Sequence, residues 1–250
     1  MIQVVCVKQV PDTETRVRVT ADGRSLDAAG VTWVLNPYDE YAIEQALRVR
    51  EQQGGGEIVA VSIGGPSVAT VLREVLALGA DRAIHLVTDV AAPDPLQLAR
   101  ALAEVVRNLK ADLVWFGKQA VDDDQAQVGP MVAELLDIPC ATVAVTFELA
   151  GDGITVEREV ETGREVVELP LPAVITAEKG LNEPRYASLK GRMAAKKKTI
   201  EEQPAALGAP GLEIVALGLP PARPAGRIVG QGVEAVPGLV QALRDEAQVL

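Results

Sequence analysis

A chain of 250 residues with 48% hydrophobic and 24% charged residues has apolar material for one large domain, or one domain plus an extension. Its formal net charge of −11 speaks against nucleic acid as a main partner, because a phosphate backbone needs a basic face. Aromatic residues make up 3%, which leaves the core to Val, Leu, Ile and Ala, and the single histidine, His85, speaks against a histidine-based triad or a zinc centre.

The first predicted element, IQVVCVK at 2–8, is a near-continuous apolar run, the pattern of a strand buried on both faces. No secretory leader is recognisable before it and no apolar run reaches the ~20 residues of a membrane span. The expected location is therefore the cytoplasm, with Cys6 and Cys140 as buried thiols in a reducing compartment. RVRVTADGRSL alternates and then turns at Ala21-Asp22-Gly23; together with VTWVL it predicts a small antiparallel excursion. A helix then begins, with Asn36 as N-cap, Pro37 in the first position, and Asp39 and Glu40 at the positive end. It stops at Gly54-Gly55-Gly56. EIVAVSIG is a strand, SVATVLREVLALG a helix, and RAIHLV a strand that makes His85 a structural residue. The helix DPLQLARALAEVVRNLK has Asp94 as cap and Pro95 behind it; the strand DLVWFG and the helix QVGPMVAELLD follow.

This strand–helix alternation predicts an α/β fold with a parallel sheet covered by helices. From Ile138 the rhythm changes. TVAVTFEL, GITVEREV and REVVELPL read as three alternating strands joined at Gly151-Asp152-Gly153 and Thr162-Gly163-Arg164, an antiparallel addition at the sheet edge. PAVITAE returns to a buried strand. LNEPRYASLKGRMAAKKK at 181–198 gathers six Lys and Arg residues with Glu183 as its one acid, a basic loop in an acidic chain. After Ile200 the chain is rich in Pro and Gly, with Pro204, Pro210, Pro220, Pro221 and Pro224, and ends in the helix VPGLVQALRDEAQVL. A helix on so loose a tether cannot bury its apolar face alone, so it is expected to pack on something else, a second subunit being the candidate.

In parallel sheets, ligands bind at the carboxyl ends of strands, where helix N-termini point inward. That rule selects Val7-Lys8-Gln9-Val10-Pro11-Asp12, Ser62-Ile63-Gly64-Gly65 and the long loop from Gly117 to Gly129, with Asn36 nearby. In the last loop Asp122, Asp123 and Asp124 repel one another. Hydrogen bonds from a helix start, a metal, or the hydroxyl and amino groups of a nucleotide would compensate. The main-chain N–H groups of Gln127, Val128 and Gly129 would cradle a phosphate, and small residues such as Ala126 and Gly129 let a ligand approach. A solvated acidic helix cap is the plainer reading. Lys8 and Lys118 each read either as a phosphate contact or as a surface lysine balancing the acids. Neither a phosphate-binding lysine loop nor G-x-G-x-x-G is present, three consecutive acids suit magnesium poorly, and no residue reads as a catalytic acid, base or nucleophile.

VKQVPD, NPYDEYAIEQAL, GKQAVDDDQAQVGP and above all the run from Val156 to Lys198 resemble the beta subunit of electron transfer flavoprotein, over essentially the whole chain. The resemblance implies a Rossmann-like, adenine-nucleotide-binding α/β domain at 1–200, including a recognition loop at 181–198. It also implies an extended C-terminal arm at 201–250 that wraps a partner alpha subunit. It implies an FAD held mainly by alpha and a structural AMP in beta, with electrons taken from acyl-CoA or related dehydrogenases and passed to a quinone oxidoreductase. Carried over by position, cofactor contacts fall at Cys6, Val7 and Lys8, at Thr13, at Asn36, Pro37, Tyr38 and Asp39, and at Ile63. They continue through Ala120, Val121, Asp122, Asp123, Asp124, Gln125, Ala126, Gln127, Val128, Gly129, Pro130 and Met131. Partner contacts fall at Arg185, Tyr186, Leu189, Lys190, Arg192 and Met193, with Leu189 the apolar anchor.

Two positions depart from parts of the family. Thr13 stands where mitochondrial members carry Tyr and cannot stack on a flavin. Asp123 stands where flavin-bifurcating members, which hold a second FAD in beta and use NADH, usually carry Gly. A carboxylate there crowds a pyrophosphate, which favours AMP; Ala126-Gln127-Val128-Gly129-Pro130, however, is shared with bifurcating members. A reading from another class, a stand-alone nucleotide-binding stress-type protein, leaves the tethered C-terminal helix without a purpose.

Overall fold

The computed structural model describes residues 1–151, 153–223 and 225–250. Asp152, in the expected turn after Gly151, and Pro224, in the expected proline-rich arm, lie outside the described residues. The chain divides into a unit Met1–Leu217 and a unit Gly218–Leu250.

In the first unit, β1 (Ile2–Cys6) leads to a hairpin of β2 (Gln9–Pro11) and β3 (Trp33–Leu35), then to α1 (Pro37–Gln52). The predicted alternation follows as β4 (Glu57–Gly64), α2 (Ala69–Leu78), β5 (Arg82–Val87), α3 (Pro95–Leu109), β6 (Leu113–Gly117) and α4 (Val128–Leu136). Next come β7 (Cys140–Ala150), β8 (Gly153–Val160), β9 (Gly163–Pro170), β10 (Ala173–Ala177), α5 (Leu189–Ala195) and β11 (Ile200–Pro204). The main sheet has nine strands in the order β11-β5-β4-β1-β6-β10-β7-β8-β9. Pairing is parallel from β11 across to β7 and antiparallel from β7 through β8 to β9.

Because strand side chains alternate between faces, each central strand feeds two cores. Val5, Ala60, Trp115 and Ile175 pack with Ile43 and Leu47 of α1 and Leu72 and Val75 of α2. Val4, Val61, Val114, Phe116 and Val174 pack with Leu102 and Val106 of α3 and Val132 of α4. Fully burying one such aliphatic side chain is worth roughly 1.5–3 kcal/mol. Trp115 is fully buried; its ring meets Phe147 edge-on at 4.8 Å, and its Nε1 donates to Gln3 Oε1 at 2.9 Å. The α/β class, the mostly parallel sheet covered on both faces and the antiparallel addition all match the expectation.

Several details differ. The excursion at 16–35 is not a hairpin of its own: its alternating segment makes one bridge, Val19 to Leu26, while Trp33–Leu35 pairs with Gln9–Pro11. β7 is a seam, parallel to β10 and antiparallel to β8, so it belongs to the parallel body as much as to the addition. β11 and α5 were not foreseen; β11 extends the sheet beyond β5, past residue 200. Asp94 forms a full capping box with Gln97, whereas Asn36 holds the N-cap position of α1 without capping it.

The second unit contains α6 (Val236–Asp245), of which no residue is buried, and an ion pair between Arg227 and Glu246 at 2.6 Å. Among the described residues no helix is long and apolar enough to cross a membrane.

Candidate functional site

From β1 the chain builds outward through β4 and β5 on one side, and through β6 and β10 on the other. The loops after β1 and β6 therefore leave in opposite directions, the topological position at which parallel sheets bind ligands. One side chain fastens both loops. Asp39, in the first turn of α1 and 5% exposed, accepts the Lys8 N–H on Oδ2 at 2.7 Å. Its Oδ1 accepts the Gly117 N–H at 3.1 Å and Asn36 Nδ2 at 3.0 Å. Asn36 in turn donates to the Gln119 carbonyl at 2.9 Å and accepts the Val121 N–H at 3.2 Å. The side chain expected to cap a helix thus holds the nucleotide-loop candidate instead. Gly117 is obligatory here: a Cβ would overlap Asp39 Oδ1 and sit 2.7 Å from the Tyr38 carbonyl carbon. Burial pushes the Asp39 carboxyl up to about 7, against the pull of the N–H groups it accepts.

The acidic loop resolves its own repulsion. Lys8 Nζ sits 2.8 Å from both Asp122 Oδ1 and Asp123 Oδ2. Partial burial opposes the charge on Lys8, but the two carboxylates outweigh it and hold the ammonium above its ordinary range. Asp124 accepts from Gln119 Nε2 at 2.6 Å, and its N–H closes a turn on the Ala120 carbonyl at 2.8 Å. Asp124 and Ala126 both have left-handed backbone, with φ of 50° and 53°. Ala126 is followed by right-handed Gln127, a succession that turns neighbouring N–H groups toward one side. Among the described residues no acceptor pairs with the N–H groups of Gln127, Val128 or Gly129, and Pro130 has none to offer. Gly129 is small for an internal reason: a Cβ would lie 2.9 Å from Thr176 Cγ2. Met131 continues α4, half-buried against the α3–α4 core.

Other expected residues stand around these loops differently. Cys6 and Val7 are buried; burial, then the Asp39 charge, pushes the Cys6 thiol far up and keeps it neutral. Ile63 is half-buried near the end of β4, next to Ser62, whose Oγ donates to the Val7 carbonyl at 2.7 Å. Pro37 is exposed and Tyr38 half-buried at the start of α1. Thr13 is exposed in a turn after β2, and no hydrogen bond among the described residues joins it to the Asp39 network. Lys118 is occupied by Glu178, 2.6 Å away. Among the described residues no group of acids, thiols and imidazole could hold a metal ion.

The basic loop lies over α1 and α2. Arg185 Nε reaches Glu44 Oε2 at 2.7 Å and its Nη1 reaches Glu51 Oε1 at 2.6 Å. Glu44, 4% exposed, also accepts from Arg48 at 2.8 Å. Burial opposes its charge, yet the two arginines outweigh burial and keep the carboxylate below its usual range. Asn182 Nδ2 donates to the Tyr41 carbonyl at 2.9 Å. Arg73 of α2 donates to the carbonyls of Ala195, the last residue of α5, and of Lys198 beyond it. Tyr186 is 96% exposed and Leu189 79%; Lys190, Arg192 and Met193 are exposed as well. A cleft of ≈ 860 Å³ runs between this loop and α1 and α2, with Glu40, Arg73, Arg192 and Lys196 among its lining residues. The sequence marks Gly117 only as the first residue of the long loop, and does not mark Glu44 or Glu51. Glycine at a strand end was a legible signal; acids on an exposed-looking helix face were not.

The family model described as "Electron transfer flavoprotein domain" matches residues 24–207. The chain is 40% identical to "Electron transfer flavoprotein subunit beta" of Bacillus subtilis, covering 98% of each chain. It is 42% identical to the protein of that name from Homo sapiens, over 98% of this chain and 97% of that one. For the Bradyrhizobium diazoefficiens protein the identity is 43% over 98% of each.

Proposed function

The chain belongs to the electron transfer flavoprotein family as a beta subunit, and from that premise we propose that it serves in a heterodimer with an alpha subunit. There it accepts electrons from acyl-CoA-type dehydrogenases through an FAD held mainly by alpha and yields them to a quinone oxidoreductase. Flavin association and an alpha partner follow from membership; the structural AMP, the dehydrogenase and the quinone oxidoreductase are our reading.

The observation that carries the nucleotide reading is the pair of loops beyond β1 and β6, fastened through Asp39 and leading to donors unpaired among the described residues. The donor N–H groups of Gln127, Val128 and Gly129 stand at the start of α4, where the helix dipole favours an anion. The residues present fit an adenosine monophosphate. The N–H groups would hold its phosphate, and Asn36, Asp39 and Gly117 keep the loop from Ala120 onward in place. Lys8 offsets the Asp122 and Asp123 charges that would otherwise repel the phosphate. One phosphate suits this donor set better than two, because those carboxylates limit the anionic charge the loop accepts. FAD, when bound, supplies the electron-carrying chemistry; this chain positions its partner and excludes water. Because β11 belongs to the sheet and Asp94 holds the segment at Gly211 and Leu212, the arm that packs on alpha begins at Gly218, with α6 as its apolar contribution. Tyr186, Leu189 and Met193 form the docking face for dehydrogenases, Leu189 being the anchor, and Lys190 and Arg192 steer acidic partners.

Denaturing the purified heterodimer and identifying the released nucleotides tests this. One AMP and one FAD per heterodimer are expected. Two FAD molecules would replace the AMP reading with the flavin-bifurcating one.

A further inference from the structure

Arg185 was expected to meet the partner, yet its guanidinium is used up at home. Two nitrogens bond Glu44, with Nε to Oε2 at 2.7 Å and Nη2 to Oε1 at 3.1 Å. Two further bonds reach Glu51 at 2.6 and 3.1 Å. The Arg185 N–H donates to Glu44 as well, at 3.3 Å. Both acids project from α1; Glu44 is 4% exposed, so the inner half of this contact lies beneath the loop, while Arg185 at 36% and Glu51 at 54% form its exposed half. The neighbouring Asn182 side chain is buried on α1, and Arg48 takes the Glu183 carbonyl at 3.3 Å. At the far end Gly191 lies so close to α2 that a Cβ would overlap the Ala77 carbonyl oxygen, and Arg73 holds the carbonyls beyond. Between these fastenings Tyr186, Leu189 and Met193 stand in solvent.

We propose that Arg185 is a positioning residue: it locks the root of the loop onto α1, so that the segment 186–193 is already shaped for docking before a dehydrogenase arrives. The inference rests on the docking reading of that loop. A segment ordered in advance does not lose its freedom on binding, which raises affinity without adding any contact. A planar fork that satisfies two carboxylates at once explains why this is Arg and not Lys.

The test uses the intact alpha–beta heterodimer with R185A, R185K, E44Q, E51Q and L189A. It has two readouts: amide hydrogen exchange of 186–193 in the free heterodimer, and steady-state kinetics with a medium-chain acyl-CoA dehydrogenase reduced by its acyl-CoA. R185A and E44Q are expected to speed exchange in 186–193 at least tenfold. They should raise KM for the heterodimer about tenfold, leaving kcat within twofold and flavin content unchanged. R185K, which cannot fork, and E51Q, which removes only the exposed half, should fall between and keep the fold if R185A does not. A KM raised by R185A but not by E44Q or E51Q, with exchange unchanged, would make Arg185 a direct contact and overturn the proposal. Faster exchange with KM unmoved also overturns it. L189A then separates the causes: a raised KM there leaves docking standing and rejects preorganisation, whereas an unmoved KM rejects the docking reading itself.

Discussion

A carboxyl in the first turn of a helix ordinarily answers that helix's own N–H groups; Asp39 instead answers Lys8 and Gly117, at the ends of two strands. Its pH behaviour has a definite sign. The folded value is raised to about 7 from an ordinary 3.8, so the folded chain holds this proton more tightly than the unfolded one. The stability it contributes is complete below the ordinary value and is lost as pH rises through about 7. Replacing Asp39 with Asn removes that slope. Urea unfolding of the heterodimer at pH 5 and pH 8 should show Asp39→Asn costing clearly less stability at the higher pH; an equal cost at both would contradict the coupling. The sequence marked Asp39 and Asn36 as residues of the site region, but it gave them helix-end roles. Which backbone donor a buried carboxyl meets depends on a neighbour 78 residues away in Gly117, and no local pattern encodes that.

At the scale of elements, Asp94 joins two structures. Its Oδ1 caps α3 through Gln97 at 2.9 Å, while Oδ2 accepts the N–H groups of Gly211 and Leu212. Asp94→Ala should cost about 1–2 kcal/mol, as cap removal does. It should also open the segment around Gly208 to limited proteolysis; a mutant cleaved no faster than wild type would show that this segment is held by other contacts. Elements with strong periodicity and terminal signals were legible: α1 and α3 by their prolines, and the central strands by continuous Val, Ile and Ala. β11 was not, because IEEQP is an edge strand whose Glu201 pairs sideways with Arg82 at 3.0 Å, so its sequence reads as polar linker. α5 has seven residues and no buried face beyond Ala195, too little for a helical signal. β7 read as antiparallel because alternation tells which face is buried, not which way the neighbour runs.

At the scale of the whole molecule, the main body and the unit Gly218–Leu250 differ in what holds them. The first has cores on both sheet faces; in the second, Ile228, Val233, Val236 and Leu239 are exposed. A short helix without a buried stripe is marginal in water. Amides of 236–245 should therefore exchange within seconds in the isolated chain and become strongly protected in the heterodimer; slow exchange without alpha would assign the helix another support. The body carries its own optical probes as well. Of the two tryptophans, Trp115 is sealed in the centre of the sheet, whereas Trp33 is 36% exposed on the β2–β3 hairpin. Blue-shifted emission thus belongs to the sheet and red-shifted emission to the hairpin. A single fluorescence spectrum can separate unfolding of the body from coverage of the hairpin by whatever binds beside it, with no label introduced.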